Sequence, residues 1–309
     1  MKQKFLLSVA LSAATLLATI SCIKEGNLGI SSGEVRFSSN ISTVSRAAKA
    51  ADNTWDVKDS IGIYMVGATS FNIIEGNENV PYITKEGGTS GFFEAKERTI
   101  YFPDNGSEVR FVSYYPYNSR TVSNIYKVDV SDQSNQSAID LLYSFDQEAL
   151  YAKSRQNRTV NLNFNHKLTK IIINIKAGRD IEDGDLEDMK ISITGLNTKA
   201  NFHLTNGVFI NRSEIAAITP LRVPEKDGFY SSYEAIIIPT DGTPVGTKIL
   251  FDLNNGEEGN ERLFSWVIGS PLFGSYKYTY NVTINRSGIV ALSLISDWID
   301  DEENEIEAE

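Results

Sequence analysis

Apolar and polar residues alternate with a period of two along most of this chain. Val35, Phe37 and Ile41 alternate with Arg36, Ser38 and Asn40, and Val109, Phe111 and Ser113 with Arg110, Val112 and Tyr114. Val160, Leu162 and Phe164 are interleaved with asparagines, and Met189, Ile191 and Ile193 with Lys190, Ser192 and Thr194. The pattern returns at Ala200, Phe202 and Leu204, through Tyr276 to Ile284, and at Val290, Leu292 and Leu294. Successive strand side chains point to opposite faces, so this period predicts half-buried strands. Helical signal is thin: the stretch from Asn135 to Ala152 has room for one short helix, expected around Asp146 to Lys153.

Many short strands separated by Gly, Asn, Asp and Pro turns indicate an all-β protein of sandwich type. A length of 309 residues suggests about two domains. Lys153, Arg155 and Arg158 interrupt two apolar regions, which puts the expected boundary there. Domain one is then 34–155 and domain two 156–298, with a linker at 22–33 and an acidic tail at 299–309.

The amino end reads differently. A basic start, Met1-Lys2-Gln3-Lys4, precedes an apolar run from Phe5 to Ser21, and Cys22, the single cysteine, follows directly. Residues 1–21 therefore read as a lipoprotein signal peptide and Cys22 as the acylated (palmitate-bearing) residue. Such a chain is tethered to the outer membrane by its lipids and does not span it. Lys24-Glu25 resembles a charged cue for export to the outer leaflet.

Charge narrows the partners. The formal net charge of −11 becomes −13 when the two lysines of the signal are removed, which argues against nucleic acid and anionic membrane surfaces. With one cysteine no internal disulfide forms, so the fold must be held by core burial.

Catalytic and metal chemistry find no carrier. His166 and His203 lie in alternating strand segments, without the partner of an HExxH motif, and read as strand residues facing solvent or a domain interface. Gly88-Thr89-Ser90-Gly91 lacks the strand-to-helix setting of a nucleophile elbow. The acidic stretch Asp180 to Asp188 departs from a calcium loop: Gly184 follows Asp180 by four residues, and Ile191 stands where the bidentate Glu belongs. No catalytic residue, metal ligand or cofactor is expected. Trp55, Phe92, Phe93, Tyr114, Tyr115 and Tyr117 read as core, with sugar stacking as the alternative. Asp59-Ser60-Ile61 matches a short O-glycosylation pattern.

The order of several segments resembles the Bacteroidetes fimbrillin-like family. Asn53-Thr54-Trp55-Asp56-Val57-Lys58-Asp59-Ser60-Ile61-Gly62 is similar to the opening of that family's first domain. Arg110-Phe111-Val112-Ser113-Tyr114-Tyr115-Pro116-Tyr117, Asp140-Leu141-Leu142-Tyr143-Ser144 and Leu162-Asn163-Phe164-Asn165-His166-Lys167-Leu168 follow in the family's order. The resemblance implies two tandem transthyretin- or immunoglobulin-like β-sandwich domains and a subunit of type V pili, or a surface lipoprotein of the same fold. It also implies export as a lipoprotein and proteolysis after an arginine, matched here by Arg46 and Ala47.

Removing a strand from such a fold uncovers an apolar groove with unpaired backbone groups, which another chain can fill. Val35, Phe37 and Ile41 are then the side chains of the displaced strand, and other fimbrial subunits are the partners. The alternative is a permanently anchored surface lipoprotein that binds host or dietary glycans or proteins without polymerising. The acidic tail is a poor replacement strand because its carboxylates would be buried. The donor, if there is one, is the apolar segment ending near Ile299.

Overall fold

The computed structural model describes residues 33–41, 54–70, 72–152, 159–240, 242, 246–253 and 262–298. They form seventeen strands, one turn of α-helix and one of 3-10 helix. The first strands are β1 (Arg36–Ile41), β2 (Ser60–Gly67), β3 (Val80–Thr84), β4 (Ser90–Ala95), β5 (Val109–Tyr115) and β6 (Ile125–Asp129). Helix α1 (Gln136–Ile139) precedes β7 (Leu142–Phe145), β8 (Thr159–His166) and β9 (Thr169–Ala177). After the 3-10 turn Asp183–Leu186 come β10 (Lys190–His203), β11 (Val208–Ile218), β12 (Leu221–Val223), β13 (Ser231–Ile237) and β14 (Lys248–Asp252). The last are β15 (Leu263–Val267), β16 (Tyr276–Asn285) and β17 (Gly288–Asp297).

Seven strands close into a barrel in the order β1-β4-β3-β2-β5-β7-β8. The closing contact is β1 against β8, the barrel's one parallel pair among the described residues, with Phe37 opposite Val160 and Ile41 opposite Phe164. On its other edge β1 pairs antiparallel with β4, placing Phe37 opposite Phe93. Strand β8 lies beyond the expected divide at residue 156, yet completes this barrel. Two open sheets were expected for this half. The chain closes them because β1 has a partner on both edges, so neither β4 nor β8 is left as a free edge.

Two further sheets are built from the rest. One runs β11-β10-β14-β15, and β6 also joins it through β10. The other runs β12-β13-β9-β16-β17. Strand β10 is long enough to serve two partners in series, pairing through residues 190–194 with β14 and through 199–203 with β6. Gly195 lies between these stretches at φ +85°, and a Cβ there would sit 2.7 Å from the Gly246 carbonyl oxygen. Only glycine fits this bend.

Two apolar clusters hold these elements. The barrel interior contains Val35, Phe37, Ile41, Trp55, Ile61, Ile63, Phe111 and Phe164, among others. The larger cluster joins both five-stranded sheets, through Ile171, Ile173, Tyr278 and Tyr280 on one and Ile191, Phe202 and Phe251 on the other. Tyr64, Val66, Val112 and Tyr114, on alternate positions of β2 and β5, enter this second cluster from the barrel wall. Both faces of β5 are therefore buried, which is why Val112 and Tyr114 are as apolar as the barrel-facing Val109 and Phe111.

Two local expectations are corrected. The α-turn falls at Gln136–Ile139, where the Asn135 side chain accepts from the Ala138 N–H as an N-cap, and residues 146–152 are not helical. In β17 Val290 and Leu292 of the expected inward stripe are exposed, and Leu294 is half-buried. Ile289 and Ala291 pack on the core instead, and Leu292 is 68 % exposed.

Candidate functional site: the barrel seam and the carboxyl end

Strand β1 alternates as its sequence predicts. Val35, Phe37 and Ile41 are buried while Arg36 and Asn40 are exposed. Phe37 is the centre of the seam, meeting Tyr82 and Phe111 edge-on at centroid distances of 5.0 and 5.2 Å. The inward row has one polar member, Ser39, whose hydroxyl is buried without a hydrogen-bond partner. Such a group lowers the stability of the strand that carries it.

At the Ile41 end of the seam a small cleft is lined by Ile41, Trp55, Asp59, Tyr115 and Asp140. Trp55 packs edge-on against Phe93, Tyr115 and Phe164, with centroids 5.2 to 5.5 Å away. Asp59 accepts from the Asp56 N–H at 2.7 Å and from the Tyr115 hydroxyl at 3.2 Å. Burial raises the Asp59 pKa above the ordinary carboxylate value, against those hydrogen bonds. Burial also raises the Tyr115 phenol, with the Asp59 charge adding to the effect.

Asp140 leads from this cleft to the end of β8. Its two carboxylate oxygens lie 3.0 and 2.9 Å from His166 Nδ1, and the histidine side chain is fully buried. The imidazole stacks on the Trp298 indole, with centroids 4.3 Å apart and planes 6° from parallel. Trp298 follows β17 and donates its backbone N–H to the Ser275 carbonyl at 2.9 Å. The Ser275 hydroxyl donates to the His166 carbonyl oxygen. Asp, His and Ser here have the residue types of a hydrolytic triad, but the serine bonds to the histidine's backbone. These bonds tie three chain segments together, and the Ser275 hydroxyl is directed at a backbone carbonyl, not at the imidazole.

The structure sorts the remaining sequence candidates. His166 is buried, so its solvent-facing alternative is excluded, and half-buried His203 contacts the Thr205 hydroxyl through Nδ1 at 2.6 Å. In the acidic stretch, Asp185 caps the 3-10 turn and bonds Arg262 at 2.7 Å. Among the described residues no group of three His, Cys, Asp or Glu is placed to hold a metal ion. Trp55, Phe93, Tyr114 and Tyr115 are core residues, not an exposed stacking platform, while Phe92 is 72 % exposed. The Ser60 hydroxyl is buried in β2, out of reach of a glycosylating enzyme. Cys22, Arg46, Ala47 and the acidic tail lie outside the described residues. No described helix is long and apolar enough to cross a membrane.

Reading motifs alone misses the Asp140–His166–Trp298 group. Its members sit at the end of a helical turn, the end of a strand and the end of the described chain, and share no spacing. It also misses the network in which Tyr114 donates to Asn79 and Asn79 donates to Thr121, both at 2.7 Å.

A barrel closed by β1, joined to two further sheets by buried side chains, defines an all-β fold. The chain belongs to the fimbrillin-like family, whose model matches residues 45–298. It is 33 % identical over 304 residues to "Putative fimbrium subunit Fim1C" of Bacteroides uniformis, covering 96 % of this chain and 95 % of that protein. A crystal structure of a "putative cell adhesion protein" from Bacteroides uniformis matches with a TM-score of 0.67 at 30 % identity, over 86 % of this chain and 98 % of the other. A second structure of that description, from Bacteroides ovatus, has the same TM-score at 20 % identity, covering 88 % and 100 %, and shares the fold.

Proposed function

We propose that this chain is a structural or accessory subunit of type V fimbriae on the bacterial outer surface, exported as a lipoprotein through Cys22 and supporting adhesion. Assembly follows cleavage between Arg46 and Ala47, loss of β1 and entry of a strand from a neighbouring subunit into the vacated seam. Relatives named for fimbria and cell adhesion support this role. No enzymatic role is assigned to it. The organisation we propose is two tandem β domains, residues 34–155 and 156–298, with β8 pairing back into the barrel of the first.

The observation that carries the proposal is the position of β1. It alone separates β4 from β8, and it places Val35, Phe37 and Ile41 in the barrel core. Its loss leaves two strand edges unpaired and three apolar pockets empty. Refilling each pocket is worth about 1.5 to 3 kcal/mol, which makes an incoming strand of matching alternation strongly favoured. Strand β17 suits the donor role: among the described residues it is an edge strand whose one ladder is with β16, and it carries apolar side chains on both faces.

The decisive measurement is the native amino terminus. A mature chain beginning at Ala47, together with loss of polymer in Arg46→Ala, is the expected result. A chain that keeps acylated Cys22, with polymer unaffected by Arg46→Ala, overturns the assembly route and leaves a lipid-anchored surface protein.

A further inference from the structure

We propose that Asp140, His166 and Trp298 form a latch coupling the barrel seam closed by β1 to the carboxyl end of β17. The two strands lie in different sheets and pair with different neighbours. A path of strand register, shared cleft lining and side-chain contact nevertheless links them. Ile41, the last residue of β1, is the register partner of Phe164, and His166 follows two residues later on β8. Ile41 and Asp140 line the same cleft, whose floor includes Trp55 packed on Phe164. From Asp140 the path continues through His166 to the indole of Trp298.

The coupling is physical. While β1 is in place, the Asp140–His166 pair is shielded from water and holds the imidazole flat for Trp298 to stack on. Withdrawal of Ile41 opens the cleft toward Asp140. Water admitted to the cleft competes for the hydrogen bond between Asp140 and His166, so the imidazole loses its fixed orientation and Trp298 its backing. The backbone bond from Trp298 to Ser275 and the hydroxyl bond from Ser275 to His166 belong to the same small assembly and loosen with it. By linkage the effect runs both ways: releasing Trp298 must weaken retention of β1 by the same factor.

The meaning of the latch for assembly rests on the proposed function. A subunit with β1 in place keeps the end of its last strand fastened, and a subunit that has lost β1 has both an open groove and a loosened potential donor. Premature association of unprocessed subunits is thereby disfavoured.

Amide hydrogen exchange on the full chain tests the coupling, followed by mass spectrometry over residues 36–41, 231–237 and 288–298. Trp298→Ala is expected to speed exchange at 36–41 by about fivefold or more, with 231–237 in β13 unchanged as the internal control. Acceleration confined to 288–298, with 36–41 unaffected, overturns the proposal. Where Trp298→Ala also exposes 231–237, His166→Phe carries the comparison, because it keeps a ring for Trp298 to stack on and removes the contact with Asp140. Acceleration at both 36–41 and 288–298 in that variant supports the latch, and acceleration at one or neither overturns it. Neither variant involves cleavage at Arg46 or polymer formation, so this test and that of the assembly route fail independently.

Discussion

The imidazole of His166 meets the carboxylate of Asp140 through Nδ1 at 2.9 Å and stacks on the indole of Trp298, with ring centroids 4.3 Å apart. Removing Asp140 deletes the buried contact at His166 Nδ1. Asp140→Ala is therefore expected to lower the unfolding free energy by about 3 kcal/mol in urea titrations, and Asp140→Asn by less because the amide oxygen still accepts from the ring. Equal stability of Asp140→Ala and the parent chain would refute this account of the pair.

Phe37 and Phe92 separate burial from mere apolarity. Phe37 is 1 % exposed and touches two aromatic rings, while Phe92, across the same β1–β4 ladder, is 72 % exposed. Phe37→Ala is expected to cost about 3 to 5 kcal/mol in a denaturant titration, and Phe92→Ala to stay within about 0.5 kcal/mol of the parent.

Ser39 is the weak point of the closing strand. Ser39→Ala removes the unpartnered hydroxyl and leaves the ladder intact, so a gain of about 1 kcal/mol is expected. Slower exchange at 36–41 in that variant, and slower assembly if strand loss limits it, are the readouts.

Gly62 packs against a ring. A Cβ there would lie 2.3 Å from Tyr114 Cε1, and Tyr114 is fixed by its hydroxyl bond to Asn79. Gly62→Ala is expected to cost about 1 to 3 kcal/mol by thermal unfolding, with the Tyr114 resonances shifted.

Alkali should unfold this protein through its phenols. Burial pushes Tyr64, Tyr82 and Tyr126 up to about 12, and Tyr114, Tyr143 and Tyr280 higher still. A folded pKa above the unfolded value of about 10 means that this stabilisation is complete below pH 10 and is lost as pH climbs toward 12. Phenolate absorbance should accordingly rise late, in step with loss of circular dichroism. Full titration of these tyrosines near pH 10 with the fold intact would contradict the burial.

Where one face of a strand meets a core and the other meets water, alternation located the residues well. Thr159–His166 is the clearest case, alternating between exposed and buried along its whole length. Alternation was mute where both faces are buried, as at Val112 and Tyr114, and misdirected at an edge, where β17 carries apolar residues outward. The barrel's closure was beyond reach, because nothing local in β1 encodes a parallel partner more than a hundred residues away. The seam residues Val35, Phe37 and Ile41 were legible by period. The Asp140–His166–Trp298 group depends on where three element ends converge, which only tertiary packing sets.

Strand β6 leaves the barrel between β5 and β7, which pair with each other, and adds itself to β10 in the neighbouring sheet. It acts as a stitch. To part the barrel from that sheet, load must break the β6–β10 ladder or unravel the barrel on either side of it. Among the described residues this ladder is a backbone tie between the barrel and that sheet, so force applied across them loads five residue pairs in β6 and β10 before side-chain packing alone must carry it.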